Sequence, residues 1–175
     1  RGASLGVDAL KIASLDKKSN YFTRFDPISV KDENNRLFQG IKNPTAKYID
    51  GVYEMVNRVA ETVKSLRAER LFPIVLAGDH STAAGTIIGI KAAHPDKKLG
   101  VIWIDAHADL HTPYTTPSGN MHGMPLAMCI ATDNLDCQVN KPNDDTVAYW
   151  NKIKNIGIEG PKIDPKDIVF ISVRD

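Results

Sequence analysis

The stretch Val101-Ile102-Trp103-Ile104-Asp105-Ala106-His107-Ala108-Asp109 joins an apolar run to three side chains that bind metal ions well. Upstream, Pro73-Ile74-Val75-Leu76 leads in the same way into Ala77-Gly78-Asp79-His80-Ser81. Continuous apolar runs without polar alternation are typical of strands in a parallel sheet that helices cover on both faces. Because ligands gather at the carboxyl ends of such strands, the sequence predicts that both motifs converge on one cation.

The triplet Asp105, His107 and Asp109 is better explained by metal binding than by ordinary turn structure. If the backbone stays extended after the strand, these alternate side chains share one side. Without a partner, each polar group held against the apolar strand would cost roughly 1 to 3 kcal/mol. Carboxylates with imidazoles suit Mn²⁺, with Zn²⁺ and Fe²⁺ as alternatives, and such ions support hydrolysis. For Asp79 alone, the sequence favours a helix cap or turn role.

The order of predicted elements indicates an α/β fold. The 175 residues suit one domain, 1–175. In chain order, the hydrophobic patterns predict helices at about 8–14 and 45–68, a strand at 72–76, a helix at 81–93, a strand at 99–104, a helix at 122–131 and a strand at 167–173. This alternation predicts a doubly wound parallel sheet with helices on both faces. Residues 133–165 are interpreted as an irregular polar excursion.

The composition argues against nucleic-acid and membrane partners. The 22 basic and 21 acidic side chains are interspersed and give a net charge of +1, so no basic patch for a polyanion stands out. No apolar run approaches the ~18 residues of a membrane span. The two cysteines, Cys129 and Cys137, do not suggest a disulfide framework, and Cys129 is expected to pack as a small hydrophobe. The expected compartment is the cytoplasm.

The loop from His111 to Gly123 follows the triplet and is rich in short hydrogen-bonding side chains. It is predicted to contact substrate. The alternative is that it only connects two elements, because Pro, Ser, Gly and Asn are also common in turns. His122, near the end of the loop, is a candidate proton carrier if a metal site lies beside it. The alternative is that His122 has only a packing role.

These motifs resemble the arginase branch of the ureohydrolase family. The similarity lies in 77–81, in Asp-Ala-His-Ala-Asp at 105–109 and in Pro-Ser-Gly-Asn-Met-His-Gly-Met-Pro at 117–125, and it extends to 41–44, 94–96 and 167–175. The resemblance implies a three-layer doubly wound parallel sheet, incomplete in this chain. It also implies hydrolysis of a guanidino compound, L-arginine to L-ornithine and urea, by a hydroxide held between two manganese ions, with Co²⁺, Zn²⁺ or Fe²⁺ possible. Homo-oligomers, trimers or hexamers, are implied as well.

The resemblance assigns a role to each metal-binding residue. His80 and Asp109 would bind one manganese, His107 would bind the other, and Asp105 would bridge both. His122 would match the proton-shuttling histidine of the family.

The resemblance also places four residues at the substrate. Thr116, Ser118 and Asn120 would lie in the recognition loop, and His111 stands where arginases commonly have an Asn that contacts the amino-acid end of the substrate. Ala77 replaces the first Gly of the usual first metal motif.

Several family features have no counterpart among these 175 residues. They are the first strand, a later Asp-x-Asp pair of metal ligands, the Glu that holds the guanidinium and an Asp that holds the α-amino group. Two of the family's strands, which would lie between the strand ending at Leu76 and the strand ending at Ile104, are absent as well. The chain is therefore interpreted as a ureohydrolase domain truncated at both ends.

Two alternatives to an arginase remain open at the level of the sequence. The first is another ureohydrolase, namely an agmatinase, a guanidinobutyrase or a formimidoylglutamase. The second is a catalytically inactive metal-binding or assembly fragment. An Asp-x-Asp following an apolar strand beyond Asp175 would distinguish an enzyme from such a fragment.

Overall fold

The computed structural model describes residues 2–174, in which helices pack against one face of a short parallel sheet. The helices are α1 (Gly6–Asp16), α2 (Tyr21–Arg24), α3 (Ile49–Ala68), α4 (Thr82–Ala93), α5 (Pro125–Ile130) and α6 (Asp144–Lys154), and the strands are β1 (Val101–Ile104) and β2 (Ile168–Ile171). Short 3₁₀ turns occupy Gly2–Leu5, Asn34–Phe38, Met121–Gly123, Leu135–Cys137 and Pro165–Asp167. Arg1 lies outside the described residues, as does Asp175, the last residue of the resemblance at 167–175.

Strands β1 and β2 pair in parallel, with Val101 opposite Ile168 and Ile104 opposite Ile171. Along β1 the burial alternates: Trp103 is 6% exposed, whereas Ile102 is 69% exposed. One face of the sheet therefore packs against the helical core, while in residues 2–174 the other face is uncovered. The predicted α/β class is confirmed, and the fold is an incomplete version of the expected architecture.

Helices α3 and α4 form the centre of the core. Helix α3 buries the apolar positions that the sequence predicted, among them Ile49, Val56, Val59, Ala60 and Val63. The predicted start of this helix at residue 45 is wrong: it begins at Ile49, because Tyr48 has a left-handed backbone with φ +57°. The residues before Tyr48 form turns. The segment 43–47 is therefore available to contact the loop 111–123.

The predicted strand at 72–76 is wrong for the described structure. Residues 71–77 form no regular element, and Phe72 and Ile74 are 84% and 64% exposed. A strand is stabilised by hydrogen bonds to a neighbour, and within residues 2–174 β1 pairs only with β2. The segment has strand-like composition but no strand beside it.

The expectation of an irregular excursion at 133–165 is also wrong, because this region contains α6. The Asn143 side chain caps the helix by accepting a hydrogen bond from the Thr146 amide at 2.8 Å. Trp150 is fully buried, and its indole N–H donates to Asp133 Oδ1 at 2.8 Å. The region is thus part of the core.

Other boundaries differ from the predictions by a few residues. The predicted helix at 122–131 is split into the 3₁₀ turn at Met121–Gly123 and α5, which starts with a proline at its first turn. Both strands are shorter than predicted because only four residues of each take part in pairing.

Cys129 packs in the core, as expected for a small hydrophobe. It is fully buried and free, and burial raises the pKa of its thiol to about 12. Cys137 is free and exposed. Among the described residues, no helix combines the length and the apolar character needed to cross a membrane.

Candidate metal centre

The two motifs that the sequence analysis singled out lie side by side. His80 Nδ1 is 2.8 Å from Asp109 Oδ2 and 3.2 Å from Asp105 Oδ2. One ligand atom from each of the three residues lies within 4.8 Å of the other two. The loop before α4 and the loop after β1 therefore bring an imidazole and two carboxylates to one point.

Trp103 supports the imidazole of His80. The two rings are stacked, with centroids 4.7 Å apart and an angle of 17° between their planes. Because Trp103 is buried in β1, two residues before Asp105, it gives the partly exposed His80 a rigid surface. Sequence reasoning treated Trp103 only as a strand residue, and its contact with the other motif could not be read from its own neighbours.

Asp105 is held in its ionised form by the loop that follows it. Its Oδ1 accepts a hydrogen bond from the His107 amide at 2.9 Å, which lowers the pKa of the carboxyl, and nearby His80 and His107 lower it further. The Asp105 amide donates to the Ile171 carbonyl at 3.2 Å and so anchors the loop to β2.

Asp109 reaches the site by an unusual backbone path. The chain bends after Ile104, and Asp109 has φ +50°, so the backbone does not stay extended through the triplet. Its carboxylate is 7% exposed, and burial raises its pKa, while nearby His80 lowers it. A buried carboxylate of this kind is well suited to a cation, which would offset its desolvation.

His107 lies beside Asp105 but outside the three-residue group. Its Nδ1 is 3.6 Å from Asp105 Oδ1, and its side chain is 75% exposed. The two oxygens of Asp105 thus face different imidazoles, Oδ2 toward His80 and Oδ1 toward His107.

The structure agrees with a turn role for Asp79. Its Oδ1 accepts hydrogen bonds from the amide of Ser81, at 2.9 Å, and from the Ser81 hydroxyl. Its carbonyl accepts the Thr82 hydroxyl at 2.7 Å. These bonds shape the loop that presents His80.

The loop 111–123 begins and ends beside the group formed by His80, Asp105 and Asp109. The His111 amide donates to the Gly123 carbonyl at 3.0 Å, and the Leu126 amide donates to the Asp109 carbonyl at 3.2 Å. His122 is exposed at the base of this loop, and it is near enough for a positive charge on it to lower the pKa of Asp109.

The four predicted substrate residues differ in exposure: Thr116 is buried, Asn120 is half-buried, and Ser118 and His111 are exposed. Thr116 is buried, and its hydroxyl oxygen accepts the amides of Ser118 and Gly119 at 3.3 and 3.0 Å, so it shapes the loop. Ser118 is exposed, and its Oγ accepts the Asn120 amide at 3.2 Å. His111 is exposed, with Nδ1 3.3 Å from the Thr115 hydroxyl.

Two contacts that the sequence did not predict support this loop. Asn140, from the stretch interpreted as irregular, donates to the Thr116 carbonyl at 2.6 Å. On the other side, Lys47 Nζ donates to Asn120 Oδ1 at 3.2 Å. Both residues are distant in sequence from the loop, and neither belongs to a recognisable motif.

The donor set fits a hard or borderline divalent cation. Two carboxylates and one imidazole converge, one carboxylate is buried, and no cysteine is in the group. Carboxylate and imidazole ligands suit Mn²⁺, Zn²⁺ or Fe²⁺. His107 lies next to this group, with Nδ1 3.6 Å from the second oxygen of Asp105.

Comparison of this sequence with known proteins finds arginases. A family model described as the Arginase family matches residues 1–175. An arginase of Brevibacillus brevis is 41% identical over 186 residues, covering 100% of this chain and 53% of that protein. Arginase-1 of Homo sapiens is 38% identical over 143 residues, covering 81% of this chain and 38% of that protein.

Solved structures show the same relationship. An arginase from Bacillus cereus has a TM-score of 0.64 at 35% identity, covering 77% of this chain and 40% of that one. An arginase from Bacillus caldovelox has a TM-score of 0.63 at 35% identity, covering 85% of this chain and 42% of that one. The chain spans about half the length of the curated relatives it matches.

Proposed function

Because this chain belongs to the arginase family, we propose that the whole protein hydrolyses a guanidino compound, with L-arginine converted to L-ornithine and urea as the preferred reaction. The observation that carries the proposal is the convergence of His80, Asp105 and Asp109, whose ligand atoms lie within 4.8 Å of one another.

Four residues of this chain would hold the metal. His80 and Asp109 would bind one ion and His107 the second, with Asp105 bridging them. The bridging role is supported by the two oxygens of Asp105, which lie 3.2 Å from His80 and 3.6 Å from His107. Manganese is the proposed ion, and Co²⁺, Zn²⁺ or Fe²⁺ are substitutes. When bound, such ions lower the pKa of water and supply a nucleophile at neutral pH.

His122 is proposed as the group that moves protons between the site and solvent. It is exposed at the base of loop 111–123, and the loop is joined there to the residues around Asp109. An imidazole in such a position can act as a general acid or base for groups at the site.

The loop 111–123 is proposed to orient the end of the substrate remote from the guanidinium. Ser118 and Asn120 offer hydrogen-bond donors suited to a carboxylate, and His111 is a further donor. Thr116 shapes the turn at 116–119 by accepting the amides of Ser118 and Gly119. The Ser118-Gly119-Asn120 sequence favours arginine, while His111 in place of the common Asn keeps another ureohydrolase activity as the second candidate.

The whole protein is proposed to act in the cytoplasm as a homo-oligomer, a trimer or hexamer, on a small guanidino substrate. The absence of a disulfide between Cys129 and Cys137 in residues 2–174 is compatible with a reducing compartment.

The test uses the complete protein, freed of metal and reconstituted separately with Mn²⁺, Co²⁺, Zn²⁺ or Fe²⁺. Urea release is measured with L-arginine, agmatine and 4-guanidinobutyrate, and formamide release with N-formimidoylglutamate, beside an Asp105→Asn control. We expect the highest kcat/KM with arginine and Mn²⁺. Absence of product from all four substrates, or equal turnover by the control, would contradict the proposal.

A further inference from the structure

Lys47 is bound to the loop 111–123 through both its main chain and its side chain. Its amide donates to the Gly119 carbonyl at 2.8 Å, and its ammonium donates to Asn120 Oδ1 at 3.2 Å. The side chains of Lys47 and Asn120 are both half-buried, so the contact is partly shielded from water. The two residues are 73 positions apart in the chain.

The backbone around this contact is tightly constrained. Gly119 has φ +73°, and a Cβ added there would collide with the carbonyl of Pro44. The segment 44–47 and the loop at 119–120 therefore touch through their main chains, and the Lys47 side chain completes an existing contact.

The chemistry of the contact fixes the orientation of the Asn120 amide. An ammonium only donates hydrogen bonds, so the oxygen of the Asn120 side chain faces Lys47 and its NH₂ group faces the opposite way. Within residues 2–174, Asn120 Nδ2 donates to no partner. The charge on Lys47 also polarises the amide and makes its NH₂ a better donor to an anion.

We infer that Lys47 is a positioning residue that turns the Asn120 amide toward the carboxylate of the substrate and so selects guanidino compounds that carry one. This inference rests on the proposed ureohydrolase function. The neighbouring Ser118 Oγ accepts a hydrogen bond from the backbone amide of Asn120 at 3.2 Å. The hydrogen of the Ser118 hydroxyl is therefore left to donate to the same anion. Lys47 acts on the carboxylate end of the substrate and has no part in metal binding or proton transfer.

The experiment compares Lys47→Met with Lys42→Met in the complete, manganese-loaded protein. Methionine keeps much of the stem of lysine without the ammonium, and the exposed Lys42 supplies the same loss of charge five residues away. For Lys47→Met we expect KM for arginine to rise about tenfold, as for loss of one hydrogen bond worth ~1.4 kcal/mol. We expect kcat for arginine, and KM for agmatine, which lacks a carboxylate, to be unchanged. Lys47→Arg should restore the arginine KM.

Binding of the products gives a second readout without turnover. Ornithine should bind about tenfold more weakly to Lys47→Met than to the unchanged protein by calorimetry, and putrescine equally well to both. An unchanged arginine KM, or equal losses for arginine and agmatine, would overturn the role of Lys47 while leaving the proposed function intact. Absence of product from the unchanged protein with every guanidino substrate would overturn both.

Discussion

Asp105 presents its two carboxylate oxygens to two different histidines, 3.2 Å from His80 and 3.6 Å from His107. A carboxylate in this position can offset the charge of two ions at once, which neither His80 nor Asp109 can do alone. We therefore expect Asp105 to contribute most of the metal affinity.

Asp105→Asn is expected to lose both metal ions from the complete protein. The amide keeps the size of the carboxylate but not its charge, so neither ion is neutralised by it. Metal content after dialysis is the measurement, and two tightly bound Mn²⁺ per chain in the variant would refute the bridging role.

His122→Asn is expected to retain metal and to turn over about 10²- to 10⁴-fold more slowly, the usual contribution of a general acid or base. The reason is its exposed position at the base of loop 111–123, outside the three-residue metal group. Steady-state kinetics with metal analysis on the same samples checks this, and either metal loss or near-normal turnover would remove the assignment.

Asp109→Asn is expected to stabilise the metal-free protein at pH 8 while abolishing its stabilisation by Mn²⁺. Burial raises the pKa of this carboxyl. In the metal-free state its contribution to stability is therefore largest when it is protonated and declines as the pH rises from its ordinary value, about 3.9, through the raised one. Asparagine removes the cost of burying a charged carboxylate, and it also removes the metal ligand.

Urea unfolding with and without Mn²⁺, in the unchanged protein and the variant, measures both effects. A lower free energy of unfolding for the metal-free variant at pH 8 would contradict the account of Asp109.

The site residues that can be predicted from the sequence are those that lie in local motifs. The sequence predicts His80, Asp105 and Asp109 together because the motifs that carry them follow apolar runs, although within residues 2–174 only the run at 101–104 forms a strand. Trp103 and Lys47 were not predicted to contact the site, since their roles depend on a stacking contact and a hydrogen bond between distant parts of the chain.

At the scale of elements, the packing of α4 on α3 sets the position of His80. Gly85 of α4 lies against α3 so closely that an added Cβ would be 2.7 Å from the Val56 carbonyl oxygen and 2.7 Å from Val59 Cβ. The small residues on this face of α4 allow the two helices to approach closely. The loop that carries His80 directly precedes α4, so the packing of the helix also fixes this loop.

Gly85→Ala is expected to lower the free energy of unfolding by about 1 to 2 kcal/mol. Overpacking costs ~1 to 3 kcal/mol, and the better helix propensity of alanine recovers at most ~1 kcal/mol. The matched control is Gly6→Ala in the first turn of α1, where an added Cβ has no neighbour within 4 Å. Chemical unfolding of both variants is the measurement, and an equal or higher stability for Gly85→Ala would show that the two helices can separate at no cost.

Helices were easier to predict than strands for a physical reason. The hydrogen bonds of α3 and α4 are local, so the apolar spacing in the sequence was sufficient, although the left-handed Tyr48 shortened α3. The run at 72–76 has the composition of a strand, but a strand needs a partner, and within residues 2–174 it has none. Helix α6 was missed because its polar composition masked the Asn143 cap and the buried Trp150.

At the scale of the whole molecule, part of the exposed apolar surface lies on the sheet and on the strand-like segment before α4. The exposed side chains include Ile102 and Ile104 of β1, Val169 of β2, and Leu71, Phe72, Ile74, Val75 and Leu76. An exposed apolar strand edge tends to pair with other chains. The resemblance implies two further strands between the segment ending at Leu76 and β1, and the chain covers 53% of the Brevibacillus arginase.

The central claim is that this chain supplies the metal-binding half of a ureohydrolase site. In the proposed site it would offer His80, Asp105, His107 and Asp109 to two ions, each of which prefers about six ligands. The guanidinium-binding Glu of the family has no counterpart in the sequence.

Urea release from L-arginine, measured in excess Mn²⁺ for the complete protein and for the 175-residue chain alone, tests this claim most directly. The account predicts turnover by the complete protein and none by the isolated chain above the rate of an Asp105→Asn control prepared identically. Arginine turnover by the isolated chain above that control would contradict it.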